Sequence, residues 1–302
     1  MSETGKDEMM SRLRHVRIQL ATIGLRGMAS VAWRNRSHTR LRAYEICRPL
    51  VEGRRGIEIG GPSALFSRQG ALPLYPLFNQ LDDCDFAGDT IWHGEAAEGT
   101  PFRFDADRQP GRRFVREATF LRGIVDASYD VVLSSHTLEH VANPLAALFE
   151  WKRVLATGGH VVLVVPHLEN TFDHRRPLTT LAHLEHDYER STGEDDTTHV
   201  AEFVTLCDLS RVPDPLSRQA FEERTHHQTT NRTVHHHVFD TELVVRLLDR
   251  AGYQLLWVET ALPFHIVAVA RVDAAAPDND RFLSSSADWR RTSVFRRDRF
   301  PR

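Results

Sequence analysis

Short β-branched runs alternate with amphipathic stretches through the middle of the chain. GIEIGGPS (56–63), YDVVLSS (129–135) and GHVVLVVP (159–166) are apolar over strand length, the pattern of strands buried on both faces. Between the last two, Asn143 and Pro144 signal a helix start and Gly158-Gly159 an end. Leu145, Leu148, Phe149, Lys152 and Leu155 follow helical spacing. Strand, helix and strand within about forty residues predict a βαβ unit.

The end of the chain repeats the theme. FDTELVVRLLDRAG (239–252) reads as an amphipathic helix capped by Asp240 or Thr241. YQLLWVETA (253–261) and PFHIVAVARV (263–272) are two strands with almost nothing between them, and so short a link makes only an antiparallel pair. An α/β sheet follows, mainly parallel, with a reversed strand at its end.

Three other regions stand apart. Residues 1–45 form a helical, arginine-rich extension without evident chemistry, and 273–302 an arginine-rich tail expected to be mobile. Residues 46–272 form the domain, interrupted by an insertion at 166–238. A connection of that length is uncommon unless it is functional or carries structure of its own. It holds ten of the 17 histidines, a loading that structural filler does not need, and is the expected acceptor pocket.

Composition narrows the class. With 41% hydrophobic residues in 302 and a formal net charge of -3, the chain is globular. Lysine occurs only at Lys6 and Lys152, but the arginines are spread along the chain and balanced by 41 acids, so stable nucleic-acid binding is not expected. Cys47, Cys84 and Cys207 have neither disulfide-framework nor CxxC spacing. MSETGKDEMM is unlike a secretory signal, and QLATIGLRGMASVAW (19–33) is too short and too interrupted to span a bilayer. A cytoplasmic location is expected, and the oligomeric state is left open.

The turn Glu58-Ile59-Gly60-Gly61-Pro62-Ser63 lies at a strand's carboxyl end, where open parallel sheets bind ligands. A dinucleotide fingerprint needs GxGxxG, which the chain lacks. Asp82 and Asp83, 24 and 25 residues past Glu58, stand at the distance from which an acid holds ribose hydroxyls. Two carboxylates without a pyrophosphate cradle suit a nucleoside better than a dinucleotide.

GIEIGGPS, YDVVLSSHTLEHV, EWKRVLATGGHVVLVVP and the closing helix–strand–strand together resemble the class I S-adenosylmethionine-dependent methyltransferases of type 11, over about residues 50–272. That resemblance implies a Rossmann-like fold with a seven-stranded sheet whose last strand is antiparallel. It implies S-adenosylmethionine as cofactor, with Glu58, Gly60, Gly61 and Ser63 at its methionine end. Asp82 or Asp83 would take the ribose, Glu117 and Ala118 would lie by the adenine, and Ser135 and His136 would close the floor. The chain departs from the family's E/DxGxGxG pattern at Pro62 and Ala64, which leaves the path of the turn open. TFDHRRPLTTLAHLEHDYE (171–189), GEDDTTHVAEF (193–203) and NRTVHHHVFD (231–240) resemble bacterial sugar O-methyltransferases, the methylmannose-polysaccharide 1-O-methyltransferases among them.

HTLEHV (136–141) carries the remaining chemistry. In a helix, His136, Glu139 and His140 share a face. Quinol O-methyltransferases bind a divalent ion with Glu-x-x-Glu-His at this place, and this chain has His136 at the first position. A divalent metal (Mg, Mn or Zn) at His136, Glu139 and His140 is therefore a candidate, with two imidazoles favouring Mn or Zn. Without a metal, a base must deprotonate the acceptor hydroxyl. His167, just past a strand end, is the first candidate, followed by His136, Asp173 and His237. Arg175 and Arg176 are candidates for anionic groups, and Trp92 and Tyr188 for stacking on a sugar ring.

The expected activity is O-methylation of a small-molecule or oligosaccharide acceptor. Quinol or phenol methylation, RNA methylation and an inactive cofactor-binding module are the alternatives.

Overall fold

Valine- and leucine-rich runs become the central strands of one sheet because each is covered on both faces. The structure, a computed structural model, describes residues 3–37, 39–90, 94–95, 97–212, 217–273 and 275–300. Trp92 lies outside them.

Eight strands form the main sheet: β1 (Arg55–Ile59), β2 (Gln80–Asp85), β3 (Pro101–Phe102), β4 (Gly111–Val115), β5 (Tyr129–Ser135), β6 (Leu155–Pro166), β7 (Gln254–Ala261) and β8 (His265–Arg271). Their order is β3-β4-β2-β1-β5-β6-β8-β7. β1 pairs in parallel with β2 and β5, β2 with β4, and β5 with β6. β8 runs antiparallel to both β6 and β7, as the short link requires. The expected seven strands are thus present. The eighth is the two-residue β3 at the edge, antiparallel to β4.

Alternating side chains feed two cores. Val132, Val161, Leu163, Ile266 and Ala268 pack with α3 (Pro144–Val154) and α8 (Thr241–Arg250). Val131, Leu133, Val162, Val164 and Val267 pack with α2 (Ala43–Val51) and the segment around Phe66 to Phe78. Both long helices start where the chain signalled: Asn143 accepts from the Ala146 N–H at 3.0 Å, and Asp240 from the Leu243 N–H at 2.9 Å. α3 ends at Val154, short of the two glycines, because Leu155 already pairs with Tyr129 as the first residue of β6.

α1 (Glu3–Ser37) breaks its helical geometry at Gly24. The insertion folds into α4 (Leu181–Glu189), α5 (Val200–Leu206), α6 (Arg218–His226) and α7 (Gln228–Asn231), around a small core of Phe203, Phe221 and Val234. No helix among the described residues is long and apolar enough to cross a membrane.

The tail corrects its expectation. It forms three short helices, α9 (Asp280–Leu283), α10 (Asp288–Thr292) and α11 (Arg296–Arg299), and buries Trp289, Phe295 and Asp298. Trp289 and Phe282 join the core beside the sheet and Phe295 stacks on His167, packing that the tail's arginine content obscures.

Candidate active site

A cavity of about 950 Å³ opens at the carboxyl ends of β1, β2, β5 and β6. One side is formed by Gly60, Ser63, Asp85, Phe86, Ala118 and Ser135. The other is formed by His136, Glu139, His140 and, from the insertion, Glu194, Arg232 and His235.

The glycine turn is shaped from beneath. Gly60 has φ +77°, and a Cβ there would meet Thr137 Oγ1 at 2.2 Å. A Cβ on Gly61 would meet the Glu58 carboxyl at 2.4 Å. Glu58 itself is fully buried under the turn and does not line the cavity, so the expectation that it touches the ligand is corrected. It accepts from the Ser63 N–H at 3.1 Å and from the Tyr75 hydroxyl at 2.5 Å. Burial raises its pKa to about 7, against the hydrogen bonds that lower it.

The acid pair is likewise tied into the scaffold. Asp82, in the first half of β2, accepts from Tyr129 at 2.8 Å and from the Arg55 guanidinium at 3.2 Å. Asp83 lies 2.9 Å from Arg113. Neither lines the cavity; Asp85, the last residue of β2, does. In a parallel sheet, only the strand's end reaches the ligand crevice, and the sequence reading placed the acid by its distance from Glu58 instead.

At the opposite wall, Leu138–His140 form a single 3-10 turn. His136, at φ +55°, holds a left-handed backbone rare for a bulky residue. Its Nδ1 is 3.6 Å from Glu139, and its Nε2 is 2.9 Å from His265 Nδ1. His235 Nδ1 bonds the Asp173 carboxylate, which also accepts from Arg176 at 3.0 Å. Burial opposes the Asp173 charge, but His235 and Arg176 outweigh it and hold the carboxyl below its usual range. The rings of His140 and His235 meet edge to face at 4.5 Å. Burial and the neighbouring His235 lower the His140 pKa to about 4, so its imidazole is neutral. At Glu139, burial favours the neutral acid; the His136 contact and the nearby imidazoles prevail and keep the carboxyl ionised.

The family model described as a methyltransferase domain matches residues 104–163, from the approach to β4 into β6. That segment of the chain is thus similar to a methyltransferase domain. A search among curated proteins found no match. Among solved structures, the chain is similar to a methyltransferase from Methanosarcina mazei at 18% identity, with 78% of this chain and 100% of that one covered and a TM-score of 0.45. A Mesorhizobium loti methyltransferase gives 15% identity, 76% and 95% coverage and a TM-score of 0.43. A third, from Bacillus halodurans, gives 14%, 72% and 70%, and 0.41.

The residues of the cavity fit S-adenosylmethionine, the cofactor that the sequence resemblance implies. The cavity has the volume of a small-molecule site. Ser135 Oγ is buried at its wall without a hydrogen-bond partner, a polar atom suited to a ligand. Gly60 and Ser63 would take the methionine end, Asp85 the ribose, and Phe86, Glu117 and Ala118 the adenine side. Gly61 shapes the turn from below and does not itself line the cavity.

Two expected bases leave the site. His167 is completely buried outside the cavity, with Nε2 3.2 Å from Asp298, Nδ1 accepting from the Glu169 N–H, and its ring stacked on Phe295 at 4.0 Å. His237 is buried elsewhere in the insertion, its Nε2 3.1 Å from the Ala142 carbonyl. The three neighbouring histidines take different directions: His235 to the cavity, His236 to Gln228, His237 toward α4. Asp173 stays relevant, but behind His235. Arg176 serves Asp173 and Glu202, Arg175 pairs with Asp208, and Tyr188 packs on Phe149.

His235, and not His237, is the histidine of its triplet that lines the cavity, and Glu194, Arg211 and Arg232 join it from positions that no sequence motif marks. Ile18, Ile23 and Val31 of α1 add a wall that the sequence pattern does not announce either. Arg232 joins the two sides, bonding Glu194 at 2.6 Å and Glu117 at 2.9 Å.

Proposed function

We propose that the enzyme methylates a hydroxyl oxygen of a small acceptor, a saccharide being the class that best suits its pocket. The observation that carries this reading is the His235–Asp173 pair at the cavity wall. A carboxylate on one ring nitrogen fixes the tautomer and leaves the other nitrogen to accept a proton. The insertion adds Asn170, Thr171, Glu194, Arg211 and Arg232, a polar wall that matches a hydroxyl-rich molecule.

The cofactor, when bound, supplies an electrophilic methyl group. The protein's part is to place the acceptor and move its proton. The acceptor O–H gives its proton to His235 Nε2, and the Asp173 carboxylate stabilises the imidazolium that forms. Arg176, bonded to Asp173 and to the His235 carbonyl at 2.8 Å, keeps the pair in register.

A second reading replaces the free base with a divalent ion held by Glu139, His140 and His235, whose ligand atoms lie within 4.8 Å of one another. Glu139 Oε2, buried without a hydrogen-bond partner, is the observation that favours it. This set differs from the expected trio: His235 stands in it where His136 was placed.

The test is mass spectrometry after incubation with methyl-deuterated cofactor and separate saccharide, phenol and quinol panels, with and without chelator. Label on a saccharide is expected, with turnover about 10²–10⁴-fold lower in His235→Gln. Label on phenols or quinols alone would sink the acceptor class and make the apolar α1 wall the selecting surface. Unchanged turnover in His235→Gln would remove the base, and loss of label on chelation would favour the ion.

A further inference from the structure

The insertion holds a second cluster that the cavity does not use. His183, His199 and His237 each bring a ligand atom within 4.8 Å of the other two. They come from three places: α4, the residue capping α5, and the segment ahead of α8. Asp187 stands one helical turn past His183, on the same face of α4. Its Oδ2 is 3.2 Å from His183 Nε2, which in turn is 3.2 Å from His199 Nε2.

A proton shared between His183 and His199 leaves the rest of the cluster unexplained. Asp187 Oδ2 meets only imidazoles, in ion-pair contact without hydrogen-bond geometry, and His237 Nδ1 is buried without a hydrogen-bond partner. Groups orphaned in this way are rare in folded proteins. Their spacing has a simple cause. Nitrogen and oxygen ligands about 2.0–2.1 Å from a tetrahedral ion lie roughly 3.3 Å from one another, and two of the separations here are 3.2 Å. The surroundings also fit: Thr192 donates to Asp187 Oδ1 at 3.2 Å, and the Ala142 carbonyl faces His237 Nε2. Metal-binding carboxylates and imidazoles are oriented by such partners on their other atoms.

We propose that His183, Asp187, His199 and His237 form a structural zinc site within the insertion. The three imidazoles supply the clustered ligands, and the Asp187 carboxylate beside His183 is the fourth that would close a tetrahedral set, which suits Zn²⁺. Mg²⁺ and Ca²⁺ require more oxygen ligands. The ion joins α4 to the start of α5 and to the irregular stretch that carries His235. Glu194 lies between α4 and α5, and Arg232 grips both its carbonyl and its carboxylate. The site thus fixes the acceptor-facing wall from behind, whatever the acceptor is.

The experiment is elemental analysis of the full chain, purified without chelators or a histidine tag, followed by zinc removal, cobalt substitution and visible absorption. One zinc per chain and the intense bands of tetrahedral Co²⁺ are expected. Zinc affinity should fall more than about tenfold in His199→Gln and in Asp187→Asn, and should be unchanged in the cavity variant Glu139→Gln. Folded protein that takes up no zinc from a zinc-containing buffer would overturn the proposal. So would zinc lost in Glu139→Gln but kept in His199→Gln, which moves the ion to the cavity. If the insertion variants do not fold, the wild-type cobalt spectrum decides: octahedral bands or none reject the site.

Discussion

Two buried histidine–aspartate pairs in this molecule are chemically alike and differ in what surrounds them. His235–Asp173 stands at the cavity wall, with one ring nitrogen on the carboxylate and, in the proposed mechanism, the other turned to the acceptor. His167–Asp298 lies under the tail, with both ring nitrogens engaged and a phenyl ring against the imidazole. Its carboxylate is also held by the hydroxyls of Thr241 and Ser293, each at 2.6 Å. On the proposed mechanism, a histidine beside a carboxylate acquires proton-transfer chemistry only where its second nitrogen meets the reacting space. Otherwise the same pair is a clamp that ties the chain's last helix to the end of β6.

The largest effect should separate the pairs by turnover. Asp173→Asn should lower kcat about 10²–10⁴-fold while cofactor affinity holds, and His167→Gln should leave kcat nearly unchanged. Equal losses in both, measured by initial rates at saturating cofactor, would erase the distinction.

Stability should show the opposite order. Phe295→Ala strips the aromatic cover from His167 and should cost about 3–5 kcal/mol by denaturant titration. A loss below about 1 kcal/mol would mean that the tail does not seal that pair.

Glu58 extends the comparison to a carboxyl expected at the ligand and found in the scaffold. Its pKa rises from 4.5 to about 7 on folding. Below pH 4.5 it is protonated in both states, and its contribution to stability is fully present. Between there and pH 7 the unfolded chain ionises first, so stability should fall by roughly 3 kcal/mol and then level. Denaturation midpoints from pH 5 to 8 should show that slope in the wild type and a flatter one in Glu58→Gln. A wild-type profile rising over this range would contradict the buried, proton-holding state.

The smallest effect concerns the acids of β2. Asp85→Ala should weaken cofactor binding about 10–100-fold, the scale of a hydrogen bond to a charged group. Asp82→Asn should act on the melting temperature and leave the cofactor Kd alone. Calorimetric titration of both variants sharpens the assignment, and a loss of affinity confined to Asp82→Asn would reverse it.

Much of the scaffold was legible before any coordinates. The apolar runs, the caps at Asn143 and Asp240 and the short link at 262–264 depend on neighbours a few residues away, and each predicted its element. Half of the site was legible for the same reason. Gly60, Ser63, Ser135 and His136 follow strand ends, and a strand end in a parallel sheet faces the crevice. Asp85 could have been found by that rule, since it closes QLDDCD. Nothing in the pattern of α1 announced that Ile18, Ile23 and Val31 would meet the cavity.

The histidines mark the boundary between the two kinds of information. Sequence alone determined that the insertion is loaded with imidazoles, that a glycine turn follows a strand of a mainly parallel sheet, and that the last strand reverses. Tertiary structure alone decided which imidazole would face the cavity. Loop residues carry no fixed periodicity, so the direction of each ring follows from its partner, and the partners are remote. Asp173 is 62 positions from His235, and Asp298 is 131 from His167. Local propensity cannot encode such distances; only the packing of the finished fold brings those atoms together.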